Sequence, residues 1–219
     1  MHSAKPYTET LNLHTIVTFK ALVEAIIPST HNLFVYGPVH AVGAVELFTY
    51  EYMIWAMDHS LTIHLGLSLT PIPLATPTAH LLDAGAIQLI ASGRAKDPQT
   101  ASVEGGGPFS TLSHADRFRA LAILEQGAVD PGYLPQPYQY DLGYVQFIVD
   151  YLNRATMFGY YSEWSAYGTT RLNYPDQRVL EHFPLSWVQV GYPGVSLGYR
   201  DYRGTMATII HEGGGSSIV

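Results

Sequence analysis

The chain has 219 residues, 47% of them hydrophobic and only 13% charged, with a formal net charge of −7 and no cysteine. That length can bury about 70% of the unfolded surface in one core. The acidic balance, with eleven scattered Lys and Arg, excludes a nucleic-acid surface, and the lack of cysteine excludes disulfides, thiol nucleophiles and thiolate metal sites.

The N-terminal stretch MHSAKPYTETLNLHTIVTF has one lysine, no arginine pair and no apolar run ending in a small-residue cleavage site. Neither a Sec nor a twin-arginine signal is visible. The expectation is synthesis in the cytoplasm, with any cell-surface or extracellular assembly reached through a partner or a non-standard route. Leu13, Ile16, Val17, Phe19, Val23, Ile26 and Ile27 then recur at helical spacing and predict a first helix that Pro28 ends. Residues 29–38 read as a turn or loop.

Gly37 and Pro38 lead into a predicted second helix over residues 39–64. His40, Glu51 and Asp58 fall on one line of it, because spacings of eleven and seven are close to whole turns at about 3.6 residues each. The apolar region 61–82 is cut by Thr, Ser, His and the prolines at 71, 73 and 77, so it lacks the run of about 20 apolar residues that a membrane span needs. Thr76 is the expected cap and Pro77 the first residue of a third helix through about residue 92, closed by Gly93. Residues 96–110 read as a flexible connection, with Gly105, Gly106 and Gly107 as a hinge or loop tip.

Leu112, Ser113 and Asp116 predict a start resembling a capping box, with Asp in place of the usual Glu, for a fourth helix through Gln126. A proline-rich crossing leads to Asp141, the expected N-cap of a central, mostly buried helix. Val145, Ile148, Val149, Leu152 and Ala155 form one face of it and Tyr144, Phe147, Tyr151 and Phe158 a second, leaving Gln146, Asp150, Asn153 and Arg154 for water. Residues 162–204 read as a long Tyr, Gly and Pro-rich segment with at most a short helix near 179–183. Twelve of the sixteen tyrosines lie between Tyr133 and Tyr202, so large rings with a hydroxyl are expected to pack this irregular part. Within it Pro193 and Gly194 suit the second and third positions of a type II turn, so that Gly191, Tyr192, Pro193 and Gly194 are expected to make a rigid bend. The whole predicts an all-α fold, a single domain over 1–204 of about five helices with long loops, followed by a tail over 205–219.

Several pieces form a recognisable order: the early helix TFKALVEAIIPS, the Gly-initiated helix after it, FSTLSHADRFRALAILE, YVQFIVDYL with FGYYSE, and above all WVQVGYPGVSLGYRDYRG. Together they resemble the gluconate 2-dehydrogenase subunit 3 family, the small accessory subunits of FAD-dependent sugar and sugar-acid dehydrogenases. The resemblance implies a helical, cofactor-free, non-catalytic partner of a flavoprotein. Members often carry a twin-arginine signal; this chain shows none. No catalytic residue carries over, and the matching residues Trp187, Gly191, Tyr192, Pro193, Gly194, Gly198, Tyr199 and Tyr202 are expected to build a turn or an interaction surface.

Chemistry of the chain's own is not expected. His40, Glu51 and Asp58, with Glu46 and His59 nearby, lack the Glu-x-x-His pairs of a carboxylate metal site in a bundle, so a buried polar stripe is expected and no metal. A Ser-His-Asp hydrolase is not expected, and neither phosphate-loop nor dinucleotide glycine patterns occur. Two functions stay open: an accessory subunit covering part of an FAD-dependent dehydrogenase, or a self-assembling structural protein forming a homo-oligomer, filament, lattice or surface layer. Low charge and many tyrosines suit repeated protein contacts. In the second case residues 1–7 and 213–219 are expected to dock on neighbouring copies.

Overall fold

Asn12 starts the first helix, α1 (Leu13–Ile26), by accepting a hydrogen bond from the His14 backbone N–H at 3.1 Å. The computed structural model describes residues 12–61, 63–65, 70–97, 103–194, 208–211 and 215–218. Phe19, Leu22 and Val23 of α1 are completely buried. Helix α1 meets α2 (Thr49–His59), α3 (Ala75–Ala91), the single-turn α4 (Pro108–Thr111), α5 (His114–Glu125) and α6 (Leu142–Tyr161), so it is the hub of the fold. A short α7 (Leu185–Val190) follows. Two antiparallel hairpins, β1 (Ile63–Leu65) with β2 (Thr70–Ile72) and β3 (Thr208–His211) with β4 (Gly215–Ile218), add little to an all-α fold. Among the described residues no helix is long and apolar enough to cross a membrane.

The expected central helix is α6, and its start is as predicted: Asp141 accepts from the Tyr144 N–H at 2.8 Å. It packs on α2 and α5 and meets α1 more sparingly. Its expected second face is filled only in part, by Tyr144 and Tyr151, which pack half-buried against the core. Phe147 and Phe158 are exposed, with Met157 and Tyr161, while Val145, Ile148, Val149, Leu152 and Ala155 form the buried stripe. A helix at the edge of a bundle covers one stripe only.

The second helix is much shorter than the predicted 39–64. Residues Pro38–Ala41 form a separate 3₁₀ turn, and Phe48 stands immediately before α2 with a left-handed φ of 56°. The cause lies in α1: the Ala44 N–H donates to Ile27 O at 2.9 Å, drawing the chain back onto the end of the first helix. Gly43 permits that approach, since a Cβ there would lie 2.5 Å from Ser29 N. The predicted loop over 29–38 contains a 3₁₀ helix, His31–Tyr36.

The start of α3 is also corrected. Thr76 does not cap it; the Ala75 N–H donates 2.8 Å to Asp58 Oδ1, a carboxylate from α2 that suits the positive helix end. Gly93 closes it at φ 66°, as expected. Ser113 caps α5 from the Asp116 N–H, and Asp116 itself turns inward to accept from the backbone of Lys96 and Asp97. Burial alone would raise the Asp116 carboxyl, but these N–H groups and Arg119 outweigh it and hold the group below its ordinary value.

The glycines 105–107 are no loop tip. A Cβ on Gly106 would lie 2.4 Å from Ser110 Oγ and one on Gly107 only 2.1 Å from Asp83 Oδ2, so the chain is pressed against α3 here. After α6 the expected helix near 179–183 is absent. Val179 N–H donates to Thr170 Oγ1 at 3.1 Å and Glu181 N–H to Ala166 O at 2.8 Å, contacts that replace helical pairing. Helix α7 begins only after Pro184, whose ring is compatible with a helix start.

Candidate functional site

The residues that stand out from this fold are apolar and exposed. The 3₁₀ helix His31–Tyr36 buries none of its side chains, and Phe34, Val35 and Tyr36 are 60%, 81% and 74% exposed. Ala41 O holds the base of this loop by accepting from Thr30 N–H at 3.0 Å. Beside it lies a groove of about 710 Å³ whose walls include Leu33, Tyr36, Val42, Tyr161 and Val190. Three hydrogen bonds fix its floor: Gln189 Nε2 donates to Val39 O at 2.5 Å and to the Tyr160 hydroxyl at 2.8 Å, and that hydroxyl donates to Val42 O at 2.8 Å. Burial raises the Tyr160 hydroxyl above its ordinary value, the Gln189 bond opposing it, so the hydroxyl stays a donor.

The groove is chemically plain. His40 is a single imidazole among its lining residues, and no carboxylate joins it there. Such a lining can hold an apolar side chain or helix face with little demand for polar complementarity.

The predicted turn borders this region. Trp187 of α7 packs edge-on to Tyr192 at 4.7 Å and to Phe183 at 5.6 Å, and its indole N–H donates to Tyr161 O at 3.2 Å. Gly194 has φ 103°, the positive angle expected of the third turn position. Gly191 does something the sequence reading missed: at φ 69° it is the left-handed cap of α7, with Tyr192 N–H donating to Trp187 O at 2.8 Å. Pro193 connects the two. Gly198, Tyr199 and Tyr202 lie outside the described residues, as do residues 1–7. Residues 194–198 read Gly-Val-Ser-Leu-Gly, the letters of a nucleophile elbow, yet the segment before them is a helix and a turn where that motif requires a strand.

The polar line of His40, Glu51 and Asp58 does not exist as a line. His40 is on the separate 3₁₀ turn at the groove, and the two carboxylates of α2 each anchor a different part of the chain. Glu51 accepts from Arg171 Nε at 2.9 Å, and Asp58 serves the start of α3. Both are structural, and the buried polar stripe is two separate ties.

The exposed strip was legible in principle. Leu33, Phe34, Val35 and Tyr36 are four consecutive apolar or aromatic residues bounded by His-Asn and Gly-Pro, a run that a loop seldom needs for packing. Comparison of the chain with protein-family models, with curated proteins and with solved structures finds no match.

Proposed function

We propose that the chain is a non-catalytic accessory subunit that docks on a larger FAD-dependent dehydrogenase, the groove face forming its contact surface. The observation that carries this reading is the strip Phe34, Val35 and Tyr36, exposed beside a groove with an apolar lining and a hydrogen-bonded floor. Aromatic and aliphatic side chains of this kind anchor protein interfaces, and a preformed floor lowers the entropy lost on docking. The resemblance of WVQVGYPGVSLGYRDYRG, whose first half builds α7 and the turn at the groove's edge, supports a flavoprotein as the partner.

A second reading rests on a second exposed strip. Phe147 and Phe158 of α6 are also open, and a head-to-tail filament or lattice requires two different patches on each copy. The test is the mass and absorbance of the native protein purified from its own cells. The expected result is a complex with a larger polypeptide that carries flavin absorbance and dissociates on Val35→Asp with Tyr36→Asp. A large particle composed of this chain alone assigns the second reading, and a 24.1 kDa monomer in fresh extract overturns both.

A further inference from the structure

We infer that His14, His80 and Asp83 form a binding site for a divalent transition-metal ion, with zinc the best match. The three offer ligand atoms that all lie within 4.8 Å of one another. His80 and Asp83 are three residues apart on α3 and therefore share a face, and His14 comes from the first turn of α1. The two imidazole rings stack at 4.8 Å between centroids with planes 21° apart.

The surroundings prepare each ligand. Asp83 is almost wholly buried, yet its Oδ2 faces His14 Nε2 at 2.6 Å while Oδ1 accepts from the Phe109 N–H at 2.9 Å. A ligating carboxylate is itself held by a hydrogen bond, and the Phe109 N–H holds Asp83 in this way on one oxygen while leaving the other for an ion. Gly107 makes the room, because any Cβ there would occupy the position of Asp83 Oδ2. His80 is exposed and can swing inward.

Two imidazoles and one carboxylate suit zinc at bonds of about 2.0–2.2 Å, and they suit magnesium or calcium poorly because those ions prefer all-oxygen shells. The ion replaces the hydrogen bond between His14 and Asp83, the two ligand atoms parting from 2.6 Å to the about 3.3 Å that tetrahedral zinc requires, and a fourth position stays open to water. A scan for Glu-x-x-His pairs misses this set, which joins His-x-x-Asp on one helix to a histidine 69 residues from the aspartate.

The experiment is zinc titration of the full chain after chelator treatment, against a chromophoric chelator, with cobalt as a spectroscopic probe. The expected result is one zinc per chain at micromolar concentration or tighter, a raised thermal transition and cobalt bands of a low-coordinate site. His80→Ala, which alters an exposed side chain, should keep the fold and weaken binding at least tenfold. Asp83→Asn, which retains an acceptor for Phe109, should do the same, and His182→Ala should change nothing. Absence of one-to-one binding, or binding that survives both His80→Ala and Asp83→Asn, overturns the proposal.

Discussion

The core around α1 and the segment that follows α6 are held by different forces. In the core, Phe19, Leu22, Met53, Ile54, Leu82 and Leu124 are fully buried against one another, and burial is non-directional. The later segment covers α2 with directed contacts. Arg178 lies 4.4 Å from the Trp55 ring and 4.8 Å from that of Trp164, and Arg171 lies 3.9 Å over Phe48 while paired to Glu51. Pinning a loop by a few such ties fixes its course without demanding that its other apolar groups turn inward. Val179, Phe183, Val188 and Val190 accordingly stay exposed, and Val190 lines the groove beside the strip at His31–Tyr36. The proposed docking role would use this surface as the contact, with the core keeping the chain folded before it docks.

The contrast can be broken most forcefully at Phe19. Phe19→Ala removes a fully buried ring from the hub helix and is expected to cost about 3–5 kcal/mol, measured by denaturant unfolding. A loss below about 1 kcal/mol would relocate the hub. Next comes Gly159→Ala, which places a Cβ 2.4 Å from Tyr52 Cδ1 where α6 meets α2. Overpacking there should cost about 1–3 kcal/mol, and a neutral result would mean that this contact gives way freely.

Arg178→Ala tests the other region. Loss of its aromatic contacts should destabilise by about 0.5–2 kcal/mol and raise protease sensitivity near residues 171–183 while leaving the core cooperative. A cooperative loss as large as that of Phe19→Ala would merge the two regions into one.

Smaller again, and visible only as a slope, is the response to alkali. Burial pushes Tyr50 up to about 12, aided by the Glu51 carboxylate, and pushes Tyr52 up to about 12, aided by Tyr151 and Glu163. Folded values raised above the ordinary 10.0 mean that this contribution is fully present below about pH 10 and is lost as pH rises towards 12. Tyr52→Phe should flatten the decline of stability over that interval; an unchanged decline would place the ring in water. Smallest is Val35→Ser, expected within about 0.5 kcal/mol of the parent in stability, by thermal unfolding, because the side chain is exposed. A larger loss would show that the strip belongs to the protomer's own core.

How much was legible follows from where each determinant sits. Ser113 and Asp141 cap α5 and α6 through residues three positions away, so their signals are complete within a short window. Gly93 and Gly194 take their expected positive φ for the same reason. The predicted helix over 39–64 failed because hydrophobic spacing cannot register that Ala44 pairs with Ile27. His40, Glu51 and Asp58 looked collinear only on that helix; His40 instead lines the groove, while Glu51 reaches Arg171 and Asp58 the start of α3. The groove was illegible because Tyr160 reaches Val42 and Gln189 reaches Val39, across 118 and 150 residues.

The sequence by itself determined that this chain is helical, where α1, α5 and α6 start and stop, and which side chains are apolar enough to be buried, since periodicity, caps and glycine angles act within a few residues. Only the tertiary structure decided that α1 and not α6 is the hub, that the aromatic face of α6 is left open, that Gly107 makes room for Asp83 and that the strip at His31–Tyr36 borders a groove. These outcomes depend on which helix faces which other, and packing across distant segments is selected by shape and buried area that no local window contains.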